Sequence, residues 1–200
     1  MVRWLIGFGC GTLALLATSA AVGQGSYDPP PTASPFAKGS WTLDTFAMAG
    51  TDMASKPVDE VLGGGLGVNY YFRDRVAFRT ELMGLDITQE GNDAAAGGVS
   101  LMTRWHFLER DRFSLFLEGG FGVLFSDVSV PDASATQFED GTHFNFTTQG
   151  SVGATYRLFE RTHLIGAARY LHISNAGLSG DDENPGSDFV GGYLGLMWEF

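Results

Sequence analysis

The chain has 200 residues and a formal net charge of −11, with 28 glycines, 16 phenylalanines and one cysteine. That balance excludes nucleic acid as a partner, because the clustered Lys and Arg that neutralise phosphates are missing. The only cysteine, Cys10, lies in an apolar leader, so the processed chain carries no thiol, which excludes disulfides, Cys-ligated metals and thiolate catalysis.

Met1-Val2-Arg3 supplies the only early charge, residues 4–17 are apolar, and residues 18–23 are small and suited to cleavage. This pattern predicts a signal peptide over residues 1–23, removed after Gly23. Loss of Arg3 takes the net charge from −11 to about −12. A lipid-attached Cys10 is disfavoured, since Gly7 stands three residues earlier where a leucine is expected. The apolar run is too short for a spanning helix, and no later stretch reaches the roughly eighteen apolar residues that one needs. Residues 24–39, rich in Pro, Ser and Gly, read as an extended leader without a core of its own. One domain is expected over residues 40–200.

From Trp41 onward the hydrophobic period is two, and no helical period of 3.6 competes with it. Eight strands are predicted: Trp41 to Ala49, Leu62 to Phe72, Val76 to Ile87, Ala96 to Phe107, Phe113 to Val128, Thr142 to Leu158, Thr162 to Ser174 and Asp188 to Phe200. The sixth alternates most clearly. Phe144, Phe146, Val152, Ala154, Tyr156 and Leu158 fall on one face, and Asn145, Thr147, Gln149, Ser151, Thr155 and Arg157 on the other. These runs exceed the five or six residues typical of sandwich strands, and they match tilted membrane strands of about ten residues with one apolar side.

The connections alternate as well. Arg73-Asp74-Arg75, Glu109-Arg110-Asp111-Arg112 and Phe159-Glu160-Arg161 are short and charged, whereas residues 50–61, 88–95, 129–141 and 175–187 form long, mostly polar loops. Short turns at one end and long loops at the other describe an outer-membrane barrel with its long loops outside the cell. The terminal Trp198-Glu199-Phe200 looks like the aromatic C-terminus of such barrels. The expected fold is therefore all-β, an eight-stranded antiparallel transmembrane β-barrel in the outer membrane of a Gram-negative bacterium.

Residues 170–188 concentrate the chemistry. His172 and Ser174, at i and i+2, share a face of the seventh strand, and Asp188 opens the eighth, which lies beside it; together they are the parts of a Ser-His-Asp acyl-transfer site. Parity sets where they point. Arg169 facing mid-membrane lipid would cost roughly 2 to 4 kcal/mol, so it faces the lumen, and His172 and Ser174 face outward. Asp188 has the parity of Phe200, on the charge-free face of the last strand. Three polar groups thus stand on the lipid side at the long-loop end.

The run His172-Ile173-Ser174-Asn175-Ala176-Gly177-Leu178, followed by Asn184-Pro185-Gly186 and an acid, resembles the motif of the lipid A 3-O-deacylase (PagL-type) family. The resemblance covers about a tenth of the chain sharply and the rest in architecture. It implies an eight-stranded outer-membrane barrel that removes the 3-position acyl chain from the lipid A of lipopolysaccharide, using no metal or other cofactor. It also implies Ser174 as nucleophile, His172 as base and Asp188 as the acid. Asp188 departs from the Glu expected there, and Asp181, Asp182 or Glu183 can substitute. Asn175 and the backbone N–H groups around Gly177 are the nearest oxyanion donors. The expected partner is lipid A in the outer leaflet, and a homodimer is open.

The remaining motifs have plainer readings. His106, His143 and His163 share faces with Arg104, Arg157 and Arg169 and are expected in a lumen polar network with Glu81 and Glu118 rather than around a metal. Gly63-Gly64-Gly65-x-Gly67 is read as strand packing, since no Lys-Ser/Thr follows it. The alternative function is a non-enzymatic barrel with a structural, adhesive or small-solute role.

Overall fold

The structure is a computed structural model, and it describes residues 34–53, 58–132, 141–178 and 186–200. The predicted signal peptide and most of the Pro-rich leader lie outside these residues. Eight strands run in order: β1 Trp41–Asp52, β2 Val58–Arg73, β3 Val76–Gln89, β4 Ala94–Arg110, β5 Phe113–Val130, β6 Thr142–Phe159, β7 Thr162–Ser174 and β8 Ser187–Glu199. Each pairs antiparallel with the next, and β1 closes on β8 from Thr42↔Glu199 to Asp52↔Phe189, making a closed barrel. Closure satisfies every edge, as a sheet surrounded by hydrocarbon requires.

Several strands run further than the apolar pattern predicts. β2 begins at Val58 rather than Leu62, and Thr51 pairs with Glu60. A ladder that rises above the apolar band keeps its backbone pairing while its side chains enter water, so the charges of Asp59 and Glu60 that suggested a loop are compatible with strand.

The outward face is apolar and exposed, for instance at Phe78, Leu101, Phe121 and Leu194. The lumen packs a charged network among buried apolar side chains such as Phe46, Phe116, Ile165 and Leu171. Arg79 Nη1 meets Asp44 Oδ1 at 2.6 Å, Arg79 Nη2 meets Glu81 Oε2 at 2.8 Å, and Arg104 Nη2 meets Glu118 Oε2 at 2.7 Å. Arg169 joins both acids, Nη1 to Glu81 at 2.8 Å and Nη2 to Glu118 at 3.1 Å. Tyr193 also donates to Glu118. Three guanidiniums and three carboxylates alternate, so each buried charge has an opposite partner that offsets its desolvation. Gly67 belongs to this packing: a Cβ there would sit 2.1 Å from Arg79 Nη1, so only glycine leaves room for the guanidinium.

The histidines expected in one network separate. His106 hydrogen-bonds Tyr71 and Ser114, and His163 pairs with Glu199. His143 is exposed and bonds the Ser126 carbonyl, because the first residues of β6 rise above the lumen. At the short-turn end residues 34–40 cap the barrel. Phe36, 2% exposed, stacks on the His106 ring at 3.7 Å, while Gly39 N–H donates to Tyr71 O and Arg75 N–H to Phe36 O.

Candidate active site

The end of β7 alternates cleanly. Arg169, Leu171 and Ile173 are buried, whereas Tyr170 is exposed and His172 and Ser174 are half-buried. Arg169 is held in the lumen by Glu81 and Glu118, and this forces its even-numbered neighbours onto the outer face. On β8, Ser187 and Phe189 are buried, and Asp188 is half-buried with the outward parity.

Register then joins the three side chains. His172 lies directly opposite Asp188 in the β7–β8 ladder. The His172 Nδ1 to Asp188 Oδ1 distance is 2.8 Å, and His172 Nε2 stands 3.0 Å from Ser174 Oγ. With the proton on Nδ1, the imidazole donates to the carboxylate and accepts from the hydroxyl at Nε2, the tautomer a general base needs. The side chains of His172 and Asp188 are 32% and 44% exposed, so the group is reachable from outside the barrel wall.

Two residues to which the sequence assigns no role in the site complete the surroundings. Tyr170 OH donates to Asp188 Oδ1 at 2.5 Å. Its signal was available in retrospect: Tyr170 is two residues before His172 on the same face, diagonal to Asp188. Gly186, with φ of +71°, lies against the imidazole, where a Cβ would come within 2.8 Å of His172 Cε1 and 3.3 Å of Ser174 Cβ. Only a folded ladder reveals that approach. The Asp188 backbone is held from β1, with Met53 N–H donating to Asp188 O at 2.8 Å and Asp188 N–H to Asp52 Oδ1 at 3.3 Å.

Immediately after Ser174 the chain reverses. Ala176 and Gly177 have φ of 53° and 74°, and Leu178 N–H donates to Asn175 O at 3.2 Å, as in a type I′ turn. Gly177 N–H donates to Asn175 Oδ1 at 2.9 Å, so these two candidate oxyanion residues bond each other here. Asn175 is 1% exposed, and its Nδ2 is a buried donor with no acceptor among the described residues. Asp181, Asp182 and Glu183 lie outside the described residues. Next to Tyr170, the outer wall carries a groove of about 380 Å³ lined by Leu117, Gly150, Val152, Ala168, Tyr170 and Val190.

Over residues 27–197 the chain matches the family described as lipid A 3-O-deacylase (PagL). Among solved structures it is similar to the outer membrane enzyme PagL, at 17% identity and a TM-score of 0.56, covering 76% of this chain and 97% of that one. It is also similar to the outer membrane protein OprG from Pseudomonas aeruginosa, at 15% identity and a TM-score of 0.51, covering 83% and 98% of the two chains. Neisserial surface protein A is 11% identical with a TM-score of 0.54, covering 80% and 96%. At these identities the structural likeness concerns the barrel alone. No curated protein sequence matches significantly.

Proposed function

Because the chain belongs to the lipid A 3-O-deacylase (PagL) family and is a barrel of the Gram-negative outer membrane, we propose that it hydrolyses the 3-O-linked acyl ester of lipid A through Ser174, His172 and Asp188. The observation that carries the reading is the unbroken line from Ser174 Oγ to His172 Nε2, and from Nδ1 to Asp188 Oδ1, on the outward face.

In this reading His172 Nε2 takes the Ser174 proton as Oγ bonds to the ester carbonyl carbon, and Asp188 stabilises the imidazolium. Collapse of the tetrahedral intermediate breaks the bond to the sugar 3-oxygen, which leaves with the proton from His172. A water, deprotonated by His172, then attacks the acyl-enzyme, releasing the fatty acid and restoring Ser174. The oxyanion is assigned to the turn after Ser174: Asn175 Nδ2 is a buried donor without an acceptor among the described residues, and the Gly177 N–H becomes a second if its bond to Asn175 Oδ1 opens. The apolar groove beside Tyr170 takes the acyl chain, so the substrate reaches Ser174 sideways from the outer leaflet.

A solute-conducting role is disfavoured by the lumen itself, where Arg79, Arg104, Asp44, Glu81 and Glu118 side chains are 0% exposed and Phe36 closes the short-turn end. Mass spectrometry of lipid A from cells expressing the wild type or Ser174→Ala tests the proposal. The expected result is loss of the 3-linked acyl chain only with the wild type; identical acylation in both would overturn it.

A further inference from the structure

We infer that Tyr170 is a positioning residue, whose hydroxyl holds the Asp188 carboxylate where it can accept the hydrogen bond from His172 Nδ1; this rests on the triad reading above. The same oxygen, Asp188 Oδ1, accepts from Tyr170 OH at 2.5 Å and faces His172 Nδ1 at 2.8 Å. In the β7–β8 ladder Tyr170 stands opposite Val190 and His172 opposite Asp188, so Tyr170 meets Asp188 across the diagonal. That span is about 7–8 Å between backbones, within reach of an aromatic side chain with a polar tip.

The need for such a contact follows from the acid. An aspartate is one methylene shorter than a glutamate, so its carboxylate has less reach toward the ring on the facing strand. Its side chain is 44% exposed at the rim, where water competes for the oxygen. The bonds from Asp52 and Met53 fix only its backbone. The tyrosyl hydroxyl occupies the carboxylate from below and leaves His172 as the other donor to Oδ1. Its O–H···O⁻ distance lies at the short end of the charge-assisted range. Tyr170 is 40% exposed, with its ring against the apolar groove and its hydroxyl at the polar rim, as an interfacial tyrosine is expected to lie.

The test is a double-mutant cycle on the purified full-length protein in detergent, with lipid A as substrate and fatty-acid release as readout. Tyr170→Phe keeps the ring and removes the hydroxyl. It is expected to lower kcat about ten- to a hundredfold, the worth of one hydrogen bond to a charged group. KM and heat-modifiable gel mobility should stay near wild type. In an Asp188→Ala background the same change should cost nothing further, because the group it positions is gone. A wild-type kcat for Tyr170→Phe, an equal fractional loss in both backgrounds, or a loss confined to KM would overturn the inference while leaving the triad standing. Full activity in Asp188→Ala would remove the triad reading, and this inference with it.

Discussion

His106 and His172 each hydrogen-bond a serine hydroxyl, at opposite ends of the same barrel. His106 contacts Ser114 through Nδ1 and Tyr71 through Nε2, is fully buried, and lies under the Phe36 ring. His172 contacts Ser174 through Nε2 and Asp188 through Nδ1, and its side chain is about a third exposed, at 32%. A serine beside a histidine is thus not enough. What separates the pairs is the third group and access: a carboxylate stabilises imidazolium where a neutral phenol does not, and a ring sealed by an aromatic plug meets no substrate. Parity decides which pair gets which. The inner face of this barrel collects charge into paired, filled networks, and the outer face at the rim leaves a few polar groups against lipid.

Substitutions can break this contrast, starting with the proposed nucleophile and the proposed triad acid. Ser174→Ala should remove activity down to the level left by binding alone, about 10⁶-fold by comparison with other serine hydrolases, measured as fatty-acid release. Asp188→Asn keeps the shape but favours the wrong imidazole tautomer, and about 10⁴-fold of kcat should be lost with the fold intact by gel mobility.

The candidate site was legible where one physical rule applied without competition. Arg169 cannot face hydrocarbon, and that alone turned His172 and Ser174 outward; hairpin pairing then brought Asp188 alongside. The closed barrel followed from the two-residue period and the alternation of short turns with long loops. Features that depend on a third dimension were not legible. The diagonal reach of Tyr170 to Asp188 and the approach of Gly186 to the imidazole exist only in the assembled ladder. Asp59 and Glu60 read as loop because charge ends an apolar pattern, yet the backbone ladder continues above the membrane. His143 kept the lumen parity but sits above the lumen.

Gly186 offers a sharper probe of the same contrast. A Cβ there would lie 2.8 Å from His172 Cε1 on a backbone at φ +71°, so Gly186→Ala must push the ring or the strand. An ångström of misplacement is expected to cost about a hundredfold in kcat, with little change in KM. The smallest effect on catalysis belongs to the other serine. Ser114→Ala leaves His106 Nδ1 without its buried partner, which should destabilise the barrel by about 1–3 kcal/mol in a urea titration and leave kcat unchanged.

A long-chain alkylsulfonyl fluoride, which mimics an acyl donor and loses fluoride when a serine oxygen bonds to its sulfur, distinguishes the two pairs in one experiment. Peptide mass spectrometry of the treated barrel should find a single adduct on Ser174, absent from Ser114 and abolished in His172→Ala. An unmodified Ser174, or label on Ser114 instead, would contradict the outward-facing triad as the site of chemistry.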